Sequence, residues 1–186
     1  DGTTTRGTPQ ENSVHWRIGI DKQTILVEEG IRYLLNYAPV RVIFVPDNHS
    51  RYSNYWLGKY TEAIFRNTPH VTVDNSKNEV KFHKSGDNAF MFLHGDNVGK
   101  KRLIPYFATK GSDIFSNSSY REIHTGHFHG RRETFNAISE EFGVMTRVHP
   151  SLSSTSDWEQ MKGFTENNRA GILSMYHETD NLIADF

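Results

Sequence analysis

The stretch "VRVIFVPDNHSRYSNYW" (residues 40–56) decides how this chain is read. It opens on a short run of apolar, β-branched residues, which predicts a strand buried on both faces of a sheet. After Val45 and Pro46 come three consecutive hydrogen-bonding side chains, Asp47, Asn48 and His49. Pro-Asp-Asn is good turn chemistry, so the chain is expected to turn here. The end of such a strand is also where open α/β sheets place ligand-binding groups. Trp56, Tyr60 and Ile64 then recur at four-residue spacing, which predicts a helix over 53–66. Strand, turn and helix together open an α/β architecture.

Upstream, residues 12–37 carry Val14, Ile18, Val27, Ile31, Leu34 and Leu35 at helical spacing. Ser13 serves as the expected cap, and Pro39 ends the segment. Downstream, "VTVD", "EVKFHK" and "NAFMFLHG" read as strands separated by the turn signals "DNSKN" and "KSGDN". "GKKRLIPYFATKG" (99–111) predicts a short helix, which Pro105 limits. "YREIHTGHFH" (120–129) and "EEFGVMTRVHP" (140–150) each predict one strand, and 151–168 a polar loop. "AGILSMYHE" and "NLIADF" predict a closing hairpin around "TDN". Early alternation followed by consecutive strands points to one layered α/β domain over 1–186, built on two sheets.

Composition excludes several classes. The 186 residues carry a formal net charge of -1, so no large single-sign field demands a polyanion or a membrane surface. There is no cysteine, which excludes disulfides and thiolate metal sites. A metal would have to use His, Asn, Asp or Glu. No apolar run reaches bilayer length and no signal peptide opens the chain, so a cytoplasmic protein without a membrane partner is expected. "DGTTTRGTPQ" reads as a loop without a Met, the start of a processed chain or of a piece of a longer one.

Three strand ends share one pattern. The first ends in Asn48 and His49, the second in His94 followed by Gly95, the third in His127 and His129 flanked by glycines. On a continuing strand, residues i and i+2 face the same side about 7 Å apart, so His127 and His129 could share a metal or feed two. Two solvated surface histidines are an equally weighted reading of that pair. His94 alone reads more readily as a backbone-bonded histidine, and Asn48 alone as a turn residue. His49 is a titratable group beside a candidate ligand, suited to protonating a leaving group.

Taken in order, "PDNHS", "HGD" and "GHFH" resemble the C-terminal motifs of the calcineurin-like metallophosphoesterase superfamily: G-N-H-[D/E], an isolated His followed by Gly, and G-H-x-H. The resemblance covers residues 40–130. It implies that Asn48, His94 and His127 bind one metal and that His129 binds a second. It also implies that His49 stabilises the transition state and protonates the leaving oxygen. The cofactors implied are two divalent ions, manganese first, with iron, zinc, magnesium and nickel as alternatives. The implied reaction is phosphate-ester hydrolysis by a hydroxide shared between the two ions, on an αββα two-sheet sandwich.

The chain departs from the pattern in two places. Asp47 and Ser50 stand where the family has Gly and an acidic residue, and Asp47 is the expected substitute for orienting His49. The family's upstream D-x-H and G-D-x-x-[D/N/H] motifs are not found. A fragment lacking its first strands is therefore expected, with an open sheet edge that would favour a homo-oligomer or a complementing N-terminal segment.

For substrate, Arg51, Tyr52, Tyr55 and Lys59 follow the first motif, with rings to stack on bases and cations to meet phosphates. Arg131 and Arg132 could hold a phosphodiester, and "GKKR" (99–102) adds charge; ordinary solubilising loop residues are an equally weighted reading of both. The competing reading is that Trp56 and Tyr60 pack inward while the others are solvated, and inward packing is the expectation for Trp56. A nuclease of nucleic-acid or nucleotide phosphodiesters is the leading expectation. The alternatives are a phosphomonoesterase or protein phosphatase, a non-catalytic nucleic-acid or partner-binding module, and a structural zinc site built from His94, His127 and His129.

Overall fold

The computed structural model describes residues 2–7, 14–127, 138–150, 170–179 and 181–185. The expected polar loop, and the expected site residues His129, Arg131 and Arg132, lie outside them. The chain divides into two units, Asp1–Glu79 and Val80–Phe186, and each has its own architecture.

The first unit is α1 (Trp16–Leu34), β1 (Val40–Ile43), α2 (Arg51–Ile64) and β2 (Val71–Asp74). β1 and β2 pair in parallel, Val40 with Val71 through Ile43 with Asp74, and α2 makes the crossover. Such a crossover is the connection a parallel pair requires. The helix expected over 12–37 begins later, with His15 as its N-cap; its Nδ1 accepts the Arg17 N–H at 3.4 Å. Ser13 lies outside the described residues.

β1 is not buried on both faces as its apolar run suggests. Arg41 is exposed and its neighbours are only half-buried. Among the described residues β1 pairs with β2 alone, so no flanking strand covers its other edge. Trp56 does not pack inward: it is 67% exposed. The buried stripe of α2 runs instead through Gly58 and Thr61 to Phe65. A side chain at position 58 would collide with the Asn75 side chain, which glycine avoids.

The second unit holds one mixed sheet in the order β3-β4-β5-β7-β6. Its strands are β3 (Val80–Ser85), β4 (Asn88–Leu93), β5 (Tyr120–Thr125), β6 (Ile138–Glu141) and β7 (Val144–Val148). β4, β5 and β7 run parallel, and β3 and β6 are antiparallel edges. A 3₁₀ turn (Lys100–Arg102), α3 (Leu103–Lys110) and α4 (Ser112–Ser116) cross from β4 to β5. Pro105 sits in the first turn of α3, where its missing N–H has no intrahelical partner to lose. The segment 140–150, expected as one strand, is a hairpin. Phe142 (φ 52°) and Gly143 (φ 68°) form a two-residue turn between Glu141 and Val144, with the positive φ values of a type I′ hairpin turn.

The sheet has two dissimilar faces. One carries Ala89, Met91, Leu93, Ile123 and Val144 against Leu103 and Phe107 of α3, all buried. The other carries Phe90, Phe92, Tyr120, Glu122, His124 and Arg147. The closing hairpin that the sequence leads one to expect, β8 (Ser174–His177) and β9 (Asn181–Asp185), covers it. Asn88 Nδ2 donates to the His177 carbonyl at 2.7 Å and the Asp87 N–H to the Glu178 carbonyl at 2.7 Å. Tyr176 packs edge-on against Phe90, ring centres 4.8 Å apart.

Candidate metal centre

Two of the expected site residues come together in the second unit. β4 and β5 are adjacent and parallel, with Leu93 opposite Thr125, so the carboxyl ends of both strands lie side by side. His94 follows the first strand at once and His127 lies two residues past the second. The Gly126 N–H donates to the His94 carbonyl at 2.9 Å and Thr125 Oγ1 donates to it at 3.2 Å. These bonds tie the two strand ends together. Gly95 then turns away at φ 107°, a conformation open to glycine and strained for other residues.

The result is His94 Nε2 facing His127 Nδ1 at 3.1 Å, with ring centres 4.9 Å apart and the planes inclined by 67°. Two imidazoles holding one ion at about 2.1 Å, at a right to tetrahedral angle, set their nitrogens about 3.0–3.4 Å apart. The pair therefore has the spacing of a chelate and could hold a metal ion. A hydrogen bond between two neutral rings fits the same distance.

His127 does not sit on a strand. β5 ends at Thr125 and His127 adopts φ 64°, the left-handed region that a non-glycine residue enters at an energetic cost. Strand alternation therefore does not govern which way His127 points. It reaches His94 because the chain has already left the sheet.

In the first unit, "PDNHS" is a turn, as its composition suggests. Asp47 Oδ1 accepts the N–H groups of His49 and Ser50, each at 2.6 Å, and Oδ2 accepts the Ser50 hydroxyl. A carboxylate on the amides that open α2 is favourable, because those amides have no carbonyl partner within the helix. Asn54 Nδ2 donates to the Val45 carbonyl at 2.8 Å, and the Thr5 N–H to the Asn48 carbonyl at 3.0 Å. The turn that carries Asn48 and His49 is thus fixed by its neighbours in the chain. Beside it, Arg51 is ion-paired with Glu79 at 2.7 Å, and Tyr52 is exposed.

The sequence reading missed a second polar constellation, on the hairpin-covered face of the sheet. Glu122 is fully buried. Its Oε2 accepts the hydroxyls of Tyr120 at 2.7 Å and Tyr176 at 2.8 Å, and its Oε1 accepts Arg147 Nε at 2.7 Å. Arg147 Nη1 reaches Asp185 of the hairpin at 2.7 Å. Burial and the negative Glu122 push both tyrosine pKa values up.

Beside this network His124 Nδ1 meets His149 Nε2 at 2.8 Å, with the rings stacked at 5.1 Å. Burial pulls the pKa of His124 down to about 4 and lowers that of His149 too. The signal was present in the sequence as Tyr120, Glu122 and His124 alternating along an otherwise buried strand. Alternation alone did not show that a hairpin would close over them.

Compared with known proteins, the chain matches no family model, no curated protein and no solved structure.

Proposed function

We propose that this chain is a metal-dependent phosphoesterase in which His94 and His127 bind a divalent ion. The observation that carries the reading is the 3.1 Å approach of two imidazole nitrogens, held at the ends of adjacent parallel strands by a left-handed His127. An ion bound there would supply Lewis acidity, activating water and neutralising charge on phosphoryl oxygens. The order of the motifs in the sequence adds Asn48 as a further ligand, His49 as proton donor to the leaving oxygen and His129 as ligand of a second ion. The layered two-sheet fold of the metallophosphoesterases and a preference for manganese belong to the same reading.

Phosphodiesters of nucleic acid or nucleotides are the proposed substrates. The support is chemical: Tyr52, Tyr55 and Trp56 expose rings on one face of α2, and exposed rings stack on bases.

The test is hydrolysis of bis-p-nitrophenyl phosphate with added manganese, beside calorimetric metal titration, for the wild type, His127→Ala and His49→Ala. Manganese-dependent turnover lost in both variants is expected, with metal binding lost only in His127→Ala. A wild type that binds no divalent ion would refute the reading.

A further inference from the structure

α1 carries two apolar stripes where a surface helix needs one. Ile31, with half-buried Val27 and Leu35, forms the stripe that the first unit covers. On the far side Ile18, Ile25, Leu26 and Tyr33 are 48%, 54%, 68% and 62% exposed. Their spacing places them on a single face at 3.6 residues per turn. Lys22 and Glu29 lie within the same face and are exposed. Glu28 and Arg32 of the same helix pair with each other one turn apart at 2.8 Å. Lys22 and Glu29 take part in no ion pair among the described residues.

This face is complementary to itself. Two copies of α1 laid antiparallel about a two-fold axis between Ile25 and Leu26 would set Ile25 against Leu26 of the partner subunit. Ile18 would meet Tyr33 of the partner subunit, and Lys22 would meet Glu29 of the partner subunit. Each pairing occurs twice, as an isologous interface requires. Val14 and Tyr37, both exposed, extend the match at either end. We propose that the exposed face of α1 is the interface of an antiparallel homodimer. Its apolar centre supplies the affinity. Two symmetric Lys–Glu pairs set the register and disfavour the parallel arrangement, in which like charges would align. The proposal is independent of the metal centre.

Sedimentation and light scattering on the full chain, from micromolar to sub-millimolar concentration, test it. The wild type should be a dimer. Leu26→Asp should be a monomer with an unchanged far-ultraviolet circular dichroism spectrum. Lys22→Glu and Glu29→Lys should each weaken dimerisation about tenfold, a modest change for reversing two symmetric pairs. The double variant Lys22→Glu with Glu29→Lys should restore it, a result that does not depend on Leu26→Asp folding. A wild type that stays monomeric, assembly beyond a dimer, or a double variant no better than the singles would overturn the proposal.

Discussion

The second unit contains two histidine pairs, and they differ in everything but distance. His94 and His127 approach to 3.1 Å, His124 and His149 to 2.8 Å. The first pair stands on loops at the ends of β4 and β5, one member in left-handed backbone. The second lies flat on the sheet, His124 stacked against Phe92 at 4.9 Å and flanked by Glu122, Arg147 and Asp185. Burial keeps the second pair neutral, and it satisfies itself by one ring donating to the other. The first pair is the candidate ligand site because its chain is bent to bring two nitrogens together, whereas the second packs its rings across neighbouring strands. Short imidazole contacts are therefore not evidence for a metal until the backbone and the surroundings are read.

The largest test of that contrast is Arg147→Met. It removes the cation that holds buried Glu122 and clasps Asp185 of the hairpin, and should cost about 3–5 kcal/mol in urea unfolding, as breaking a buried pair does.

Next comes pH. His124 has a folded pKa of about 4, below its ordinary value near 6.5. Between those values the unfolded chain binds the proton and the folded chain does not. Stability is thus complete above the ordinary value and falls as pH drops toward the folded one. The loss should reach about 3 kcal/mol, and His149 adds in the same direction. Unfolding free energies measured across that window check it, and His124→Phe should flatten the slope.

The proposed metal-binding pair should behave otherwise. Manganese at about a hundred times its Kd should raise the unfolding free energy by about 2.7 kcal/mol, an increment that His94→Ala or His127→Ala abolishes. His124→Phe should retain the increment; losing it there would erase the distinction between the pairs.

The smallest effect separates two left-handed residues. Phe142 has φ 52° in an exposed hairpin turn, and among the described residues its side chain makes no contact that needs it there. Phe142→Asn should stabilise by roughly 1 kcal/mol, because Asn-Gly suits that turn. Relief of this kind is not available at His127, where the strained backbone delivers the ring to His94.

How much of this was legible in the sequence follows from how local each feature is. β3 and β4 could be read because short runs of strand-forming residues bounded by turn signals suffice for a strand. α2 could be read from its spacing, although Trp56 was assigned to the wrong face. The β6–β7 turn was hidden, since Phe-Gly lacks the usual Asn or Asp. His94 and His127 were both legible as candidates, and the motif resemblance placed them on one metal, but local pattern could not show how they come into contact. It depends on Leu93 and Thr125 standing opposite one another in parallel register and on a dihedral angle that no composition specifies.

The sequence by itself determined the alternation of helices and strands, the turn at Asp47, the closing hairpin and the exclusion of thiolate ligands. These follow from propensity, periodicity and residue chemistry, which act over a few neighbours. Only the tertiary structure decided that His124 meets His149, how His94 and His127 approach each other, which histidines burial keeps neutral, and which face of α1 is left uncovered. Those outcomes depend on strand register and on what packs over each face, and both are set by residues far apart in the chain.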